Sequence, residues 1–107
     1  FRADLLPRGA ARQLVESGAH LTLLPVERQF VYLPFEHAED ARMQEQAVTL
    51  FTALAQEHEG FNEALDYAHR HRGVIARFGR FPHRNAILGR ASNPEELAFL
   101  ELPGSSF

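Results

Sequence analysis

Glycine and proline recur so often in this chain of 107 residues that most stretches are too short for long regular elements. Both residues interrupt helices and strands, because glycine is conformationally free and proline lacks an amide hydrogen. They divide the chain into short blocks at Pro7, Gly9, Gly18, Pro25, Pro34, Gly60, Gly73, Gly79, Pro82, Gly89, Pro94 and Pro103. The blocks between them show helical periodicity and little strand signal, since the apolar run at 21–24 is short and has no evident partner. The sequence therefore predicts short helices joined by short loops.

The expected helices follow from end signals in the sequence. They span residues 4–17, 26–33, 39–58, 61–78 and 94–102, with a short helical turn over 82–88 and a tail over 103–107. Asp4 is the N-cap candidate of the first helix, and Gly18 follows its end. Pro25 suits a first turn, whereas Pro34 should end the second helix. Asn93 followed by proline and two acidic residues is a strong start signal. We expect one all-α domain over 1–107, an antiparallel helical array.

Charge and composition exclude several classes of protein. The chain has 11 Arg and 14 Asp plus Glu, so its net charge is 11 − 14 = −3 with His neutral, unlike a generic basic nucleic-acid binder. No run of about 18 apolar residues and no cationic start before an apolar core are present, so we expect no membrane partner and no signal peptide. The lack of Cys excludes disulfide scaffolds and thiolate sites. We expect a cytoplasmic protein without a nucleic-acid partner.

Arg72 is the first residue that suggests a site. On a helical wheel Arg72 points into the apolar stripe of the fourth helix, and His71 lies at the edge of that stripe. A buried guanidinium keeps its charge, so it needs a carboxylate or an anionic ligand. The sequence predicts either an internal ion pair with Glu36, Glu39 or Asp40, or a ligand-facing role.

The segment Arg77-Phe78-Gly79-Arg80-Phe81-Pro82-His83-Arg84-Asn85 is the second candidate. Gly79 permits a sharp turn, and Pro82 favours the start of a helix whose first N–H groups attract anions. The side chains of Arg80, His83, Arg84 and Asn85 add donors at the same point, and Arg90 follows shortly after. This pattern predicts a phosphate or carboxylate site. The alternative is that these arginines only fasten the turn to neighbouring helices.

A third candidate is the acidic segment that contains Glu36, His37, Glu39 and Asp40. These residues could supply a base or metal ligands, but their spacing matches no metal motif, and we predict no metal site. His69 and His71 are two apart on a helix and cannot chelate one ion together. The other interpretation is an ordinary helix start. No serine-nucleophile, phosphate-loop or dinucleotide motif occurs, so no cofactor is expected.

Several strings of the sequence resemble a largely bacterial family of uncharacterised proteins, domain of unknown function 924. They are Tyr32-Leu33-Pro34-Phe35-Glu36-His37 with Glu39-Asp40; Gln44-Glu45-Gln46 with Leu50-Phe51; His71-Arg72 with Ile75 and the segment 77–85; Leu88-Gly89-Arg90; and Pro94-Glu95-Glu96. Residues 30–100 carry the resemblance, and residues 1–29 fit more loosely. It implies an all-helical fold similar to tetratricopeptide repeats and no established reaction.

The chain departs from the family pattern at two positions and in length. Ala38 stands where the family usually has Ser, so a hydroxyl N-cap worth about 1 kcal/mol should be missing. Gly73 stands where the family has an acidic residue. Members also have a first half with an Asp-Gln-Phe-Pro-Arg-Asn motif that is absent here. The resemblance therefore implies a carboxyl-terminal half, completed by a missing amino-terminal half, another chain or a second copy. We expect self-association, with the faces of helices 39–58 and 61–78 left unsatisfied in a monomer.

Three functional hypotheses follow. The leading one is a non-enzymatic binding module for a small anionic ligand, with a site formed by Arg72, Arg80, His83, Arg84 and Asn85. The second is a hydrolase-like or transferase-like enzyme in which His37 or His83 carries a proton, Glu36 or Glu39 is its partner, and the arginines stabilise charge. The third is a scaffold in which every arginine is paired internally.

Overall fold

Most helices of this protein begin and end near the residues that the sequence marks as ends. The computed structural model describes residues 8–106, and Arg8 by its backbone alone. Within that part the α-helices are α1 Arg8–Glu16, α2 Pro25–Glu36, α3 Ala41–Glu57, α4 Asn62–Phe78 and α5 Pro94–Leu100, with 3-10 turns at Ala19–Thr22 and Pro82–Arg84. No strand occurs there, so the predicted all-α helical array is confirmed. The proposed N-cap Asp4 lies outside the described residues.

Side-chain caps fix the starts of α3 and α5. The Asp40 carboxylate accepts the Met43 N–H at 2.9 Å, and Asn93 accepts the Glu96 N–H at 2.8 Å. Glu96 in turn accepts the Asn93 N–H at 3.0 Å, which completes a capping box. Ala38 is fully buried and is not the cap of α3. The expected cost of a missing hydroxyl cap at position 38 is therefore wrong, because the N-cap of α3 is Asp40.

The end of α2 differs from the prediction. Pro34 lies inside α2, which continues to Glu36 instead of ending at Leu33. Phe35 and Glu36 are buried in this last turn, at 1% and 4% exposure. The Gln44 side chain donates to the carbonyls of Glu36 and Ala38, at 2.6 and 2.8 Å, and so satisfies acceptors at the helix end. Tertiary packing thus outweighs the cost of a proline within the helix.

The core forms two apolar clusters. The larger cluster contains side chains from all four helices α1, α2, α3 and α4. Within it α3 packs against both α2 and α4. Its fully buried members are Ala11, Val31, Tyr32, Ala47, Phe51, Leu54 and Ala68, together with Ala38. The smaller cluster joins the end of α4 to the following turn and α5, through Val74, Ile75 and Phe81 with Phe78 and Phe99 against them. The segment after α4 therefore packs against the end of α4 through this second cluster.

A buried polar network fastens α2 to α3 and to the first 3-10 turn. Arg28 is 5% exposed and donates to Glu57 at 2.8 Å and to the Tyr32 hydroxyl at 3.0 Å. The Tyr32 hydroxyl also contacts His20 Nδ1. Because a buried guanidinium without such partners would cost several kcal/mol, this network is part of the fold.

The apolar faces of α3 and α4 are largely buried in the described part of the chain. Phe51 and Leu54 of α3 and Ala68 of α4 have no exposed surface. The expectation that these faces stay unsatisfied in a monomer is therefore wrong, because α2, α3 and α4 cover one another. Large exposed apolar side chains lie elsewhere, as at Leu24 and Ile87. Self-association stays a prediction. No helix among residues 8–106 is long and apolar enough to cross a membrane.

Candidate functional site

Two buried titratable side chains meet where α2 ends beside α4. His71 Nδ1 lies 3.0 Å from Glu36 Oε1, and both side chains are 5% exposed. The same nitrogen is 2.7 Å from the backbone carbonyl oxygen of Tyr67. A carbonyl oxygen only accepts hydrogen bonds, so Nδ1 carries a proton and donates it. In neutral His71, Nε2 is therefore the nitrogen that can gain a proton.

Burial moves the pKa values of this pair in opposite directions. Loss of hydration raises the pKa of Glu36 to about 7. Loss of hydration also lowers the pKa of His71 to about 4, although the bond to the Tyr67 carbonyl opposes it. The positive charges of His37, His83 and Arg84 lower it further. Between these pH values Glu36 keeps its proton and His71 stays neutral.

A group of rings and one guanidinium surrounds this pair. The His37 and Phe81 rings lie 5.7 and 5.5 Å from the His71 ring. His83 is 5.8 Å from Phe81, and the Arg84 guanidinium lies 4.6 Å above the Phe81 ring. The His37 side chain is exposed, and those of His83 and Arg84 are half-buried. The structure thus brings His37, His83 and Arg84 together near a surface that solvent can reach.

Arg84 supplies an excess of positive charge in this group. Among residues 8–106, no carboxylate lies within ion-pair distance of Arg84, which stacks on Phe81 instead. Loss of hydration and the charge of Arg84 lower the pKa of His83. The same two causes lower the pKa of His37. The arrangement suits a negatively charged group.

Arg80 and Asn85 belong to a closed network around Glu96. Arg80 donates to the two carboxylate oxygens of Glu96 at 2.8 and 2.7 Å, and to the Ala91 carbonyl at 2.9 Å. The Asn85 amide donates to Glu96 at 3.3 Å and to Ser92 at 3.0 Å. Both predicted ligand-binding residues therefore already have internal partners, and they fasten the turn to α5.

Glu39 and Arg90 close a second network on the same turn. Arg90 donates to both Glu39 oxygens, at 2.9 and 3.0 Å, and to Asn85 at 2.9 Å. Glu39 also accepts the Phe81 N–H at 2.6 Å. The bonds from Arg90 and Phe81 lower the pKa of Glu39, although burial opposes them. Glu39, which the sequence suggests as a catalytic residue, is thus ionised and accepts the hydrogen bonds that fasten this turn to the segment between α2 and α3.

Arg72 lies outside this group of residues. Its guanidinium is 3.5 Å from Glu45 of α3, and its side chain is 37% exposed. The prediction that Arg72 pairs with an acid of the 36–40 segment is therefore wrong. The residue that does so is the adjacent His71. A helical wheel cannot separate neighbours at the edge of a stripe, because the precise rotation depends on which helices pack around it.

The Glu36–His71 contact is the feature that the sequence did not predict. The available signal was the position of His71 beside the apolar stripe, combined with Glu36 as a candidate partner for that helix. No group of three or more His, Asp or Glu residues in the described part is arranged to hold a metal ion.

Comparison with known proteins gives a family and a fold. The profile of a family described as "Bacterial protein of unknown function (DUF924)" matches residues 1–104. A solved structure of a protein of unknown function from Agrobacterium tumefaciens is 41% identical, with a TM-score of 0.78. The match covers 88% of this chain and 50% of that protein, so this chain spans half of its length. No curated protein matches. The chain belongs to the bacterial DUF924 family.

Proposed function

We propose that this protein is a helical binding module that accepts a phosphate or carboxylate group at Arg84, with His83 and His37 beside it. The observation that carries the proposal is the difference between three arginines of one turn. Arg80 and Arg90 are paired with Glu96 and Glu39. Arg84 has no carboxylate partner among the described residues and stacks on an aromatic ring. A bound anion would supply that missing negative charge.

The proposed set is narrower than the set expected from the sequence. His83 and Arg84 remain as ligand-facing residues, and His37 joins them from the end of α2. Asn85 and Arg80 support the turn from behind through Glu96.

Thermal unfolding in inorganic phosphate tests the proposal. At a tenfold excess of phosphate over its Kd, the midpoint should rise by roughly 5 °C relative to chloride at equal ionic strength. Arg84→Gln should lose most of this rise. Arg42→Gln removes the same charge from an exposed position of α3 and should retain it.

Equal midpoint rises in the natural protein and both variants would indicate general salt effects. That result would overturn the anion site and favour the scaffold hypothesis, in which the polar residues only hold the fold together.

A hydrolase-like or transferase-like enzyme is the second candidate, and the Glu36–His71 contact favours it. The 3.0 Å contact and the Tyr67 carbonyl fix Nδ1 as a donor, which orients the imidazole as a general base requires. His71→Asn separates the two functions. If the protein hydrolyses p-nitrophenyl phosphate, this variant should lose turnover but keep the stabilisation by phosphate, whereas a binding module shows no turnover in either form.

A further inference from the structure

A groove between α4 and α5 shares no lining residue with the group around Glu36, His71 and Arg84. It encloses about 300 Å³, at the lower end of the range for small-molecule sites. Its lining includes three apolar side chains, Val74, Phe78 and Phe99, and two arginines of α4, Arg70 and Arg77. The apolar side chains are buried or half-buried, whereas both arginines are exposed. The groove thus combines an apolar floor with a cationic rim.

Arg77 is held over the aromatic floor. Its guanidinium carbon lies 4.6 Å from the centre of the Phe78 ring and 5.9 Å from that of Phe99. The two rings pack 5.1 Å apart at 57°. No carboxylate among residues 8–106 lies within ion-pair distance of Arg77. Arg70 stacks on the Tyr67 ring at 5.4 Å, and its one carboxylate partner among the described residues is Asp66, at 3.6 Å and 67% exposed. The rim therefore presents positive charge that is weakly neutralised.

Gly73 leaves the space between the two arginines open. It lies within α4, where glycine lowers helix stability, three residues after Arg70 and four before Arg77. A Cβ atom added to Gly73 would meet no atom within 4 Å, so close packing does not account for the glycine. A larger side chain at this position would project toward the groove that Gly73 lines.

We propose that the α4–α5 groove binds a small amphipathic anion, an aromatic or branched aliphatic carboxylate. The apolar body of the ligand packs on Val74, Phe78 and Phe99. Its carboxylate accepts hydrogen bonds from Arg77 and is attracted by Arg70. This site is independent of the proposed anion site at Arg84, because the two share no residue.

Titration of the ¹⁵N-labelled protein with phenylacetate tests the proposal. The amide signals of Gly73, Val74 and Phe78 should shift and saturate. Acetate and 2-phenylethanol, which carry only the anionic or only the aromatic half, should bind at least tenfold more weakly. Arg77→Gln should raise the Kd of phenylacetate about tenfold, whereas Arg42→Gln should leave it unchanged. An equal response to phenylacetate and 2-phenylethanol, or equal effects of the two variants, would overturn the proposal.

Substitutions at Gly73 give a test that leaves the arginines in place. Gly73→Ala adds only a methyl group and should keep the affinity for phenylacetate. Gly73→Leu should fill the groove and raise the Kd at least tenfold, with an unfolding midpoint no lower than that of the natural protein. Unchanged binding by Gly73→Leu would overturn the proposal. Shifts confined to His83 and Arg84 would also overturn it, and would assign phenylacetate to the other site.

Discussion

Two buried glutamates of this protein, Glu96 and Glu36, have pKa values that are shifted in opposite directions. Glu96 is 1% exposed, and hydrogen bonds from Arg80 and from the Asn93 backbone lower its pKa to about 2. Glu36 is 4% exposed, and its pKa is raised to about 7, because burial removes hydration without adding comparable donors. Burial alone therefore does not decide the charge of a carboxyl group; the number of donors aimed at it does.

The two surroundings also differ in what they can do. Around Glu96 the charges and hydrogen bonds are paired, so the region holds the turn against α5. Around Glu36 the nearest donor is His71 Nδ1, and the backbone carbonyl of Tyr67 accepts from that same nitrogen. Glu36 keeps its proton up to a pH of about 7, and His71 lies close enough to Arg84 for that positive charge to lower its pKa. The first region stabilises the fold, and the second is where we expect chemistry or binding.

The largest expected effect comes from breaking the Glu96 network. Glu96→Gln keeps the shape of the side chain but removes the charge that Arg80 faces and turns an acceptor into a donor. We expect the unfolding midpoint, followed by circular dichroism, to fall by roughly 10 °C. Glu95→Gln at an exposed position one residue earlier is the control and should change it little. Similar midpoints for both variants would contradict the role assigned to Glu96.

A smaller effect should come from replacing either member of the Glu36–His71 pair, and it should appear in how the free energy of unfolding depends on pH. Glu36 has a folded pKa above its unfolded value, so its contribution to stability falls as pH rises from about 4.5 to 7. His71 has a folded pKa below its unfolded value, so its contribution rises with pH between about 4 and 6.5. The two slopes oppose each other, and the natural protein should show little dependence on pH from this pair.

Replacing one residue of the pair should reveal how the other makes the free energy of unfolding depend on pH. Glu36→Gln should make the free energy of unfolding rise with pH below about 6.5, by at most about 1.4 kcal/mol per pH unit. His71→Asn should make it fall with pH between about 4.5 and 7. Urea titrations at several pH values measure both slopes. Slopes of the same sign in the two variants would contradict the opposite pKa shifts of Glu36 and His71.

The smallest expected effect on stability comes from replacing Arg84. Loss of its contact with the Phe81 ring should lower the free energy of unfolding by only about 1 kcal/mol. Its charge should nevertheless be visible in the neighbouring histidines. In Arg84→Gln the pKa values of His37 and His83 should rise, because the positive charge that lowers them is gone. Titration of the imidazole proton signals by NMR measures this, with Arg42→Gln as the control. Unchanged pKa values would place Arg84 outside the site.

Features set by neighbouring residues could be predicted from the sequence. Asn93 and its proline identified the start of α5, and Gly79 adopts the left-handed conformation that ends α4. The bounds of α3, α4 and α5 differ from the predicted ones by at most two residues. These signals lie within a few positions of the element that they define, so no knowledge of the fold was needed.

Features set by distant residues could not be predicted. α2 continues past Pro34 with Phe35 and Glu36 buried, and Gln44, ten positions after Pro34, donates to the carbonyls of Glu36 and Ala38. The pairing of Glu36 with His71 instead of Arg72 depends on the rotation of α4 against α2. The sequence identified the titratable residues of the site but not their partners, since a partner is fixed by which helix faces meet.

The bonds that Glu39 makes to Arg90 and Phe81 close loops of 51 and 42 residues. Contacts between adjacent helices α2, α3 and α4 close far shorter loops and cost less chain entropy to form. The helices should therefore assemble first, and the segment after Gly79 should dock afterwards against the apolar side chains at the end of α4. Since Arg84 and His83 travel with this segment, its undocking would dismantle the candidate site while the helical body stays folded. Binding of a ligand at the site and docking of the carboxyl-terminal segment are then coupled, because the ligand binds only the docked form. A ligand there would therefore act as a folding cofactor for the last quarter of the chain.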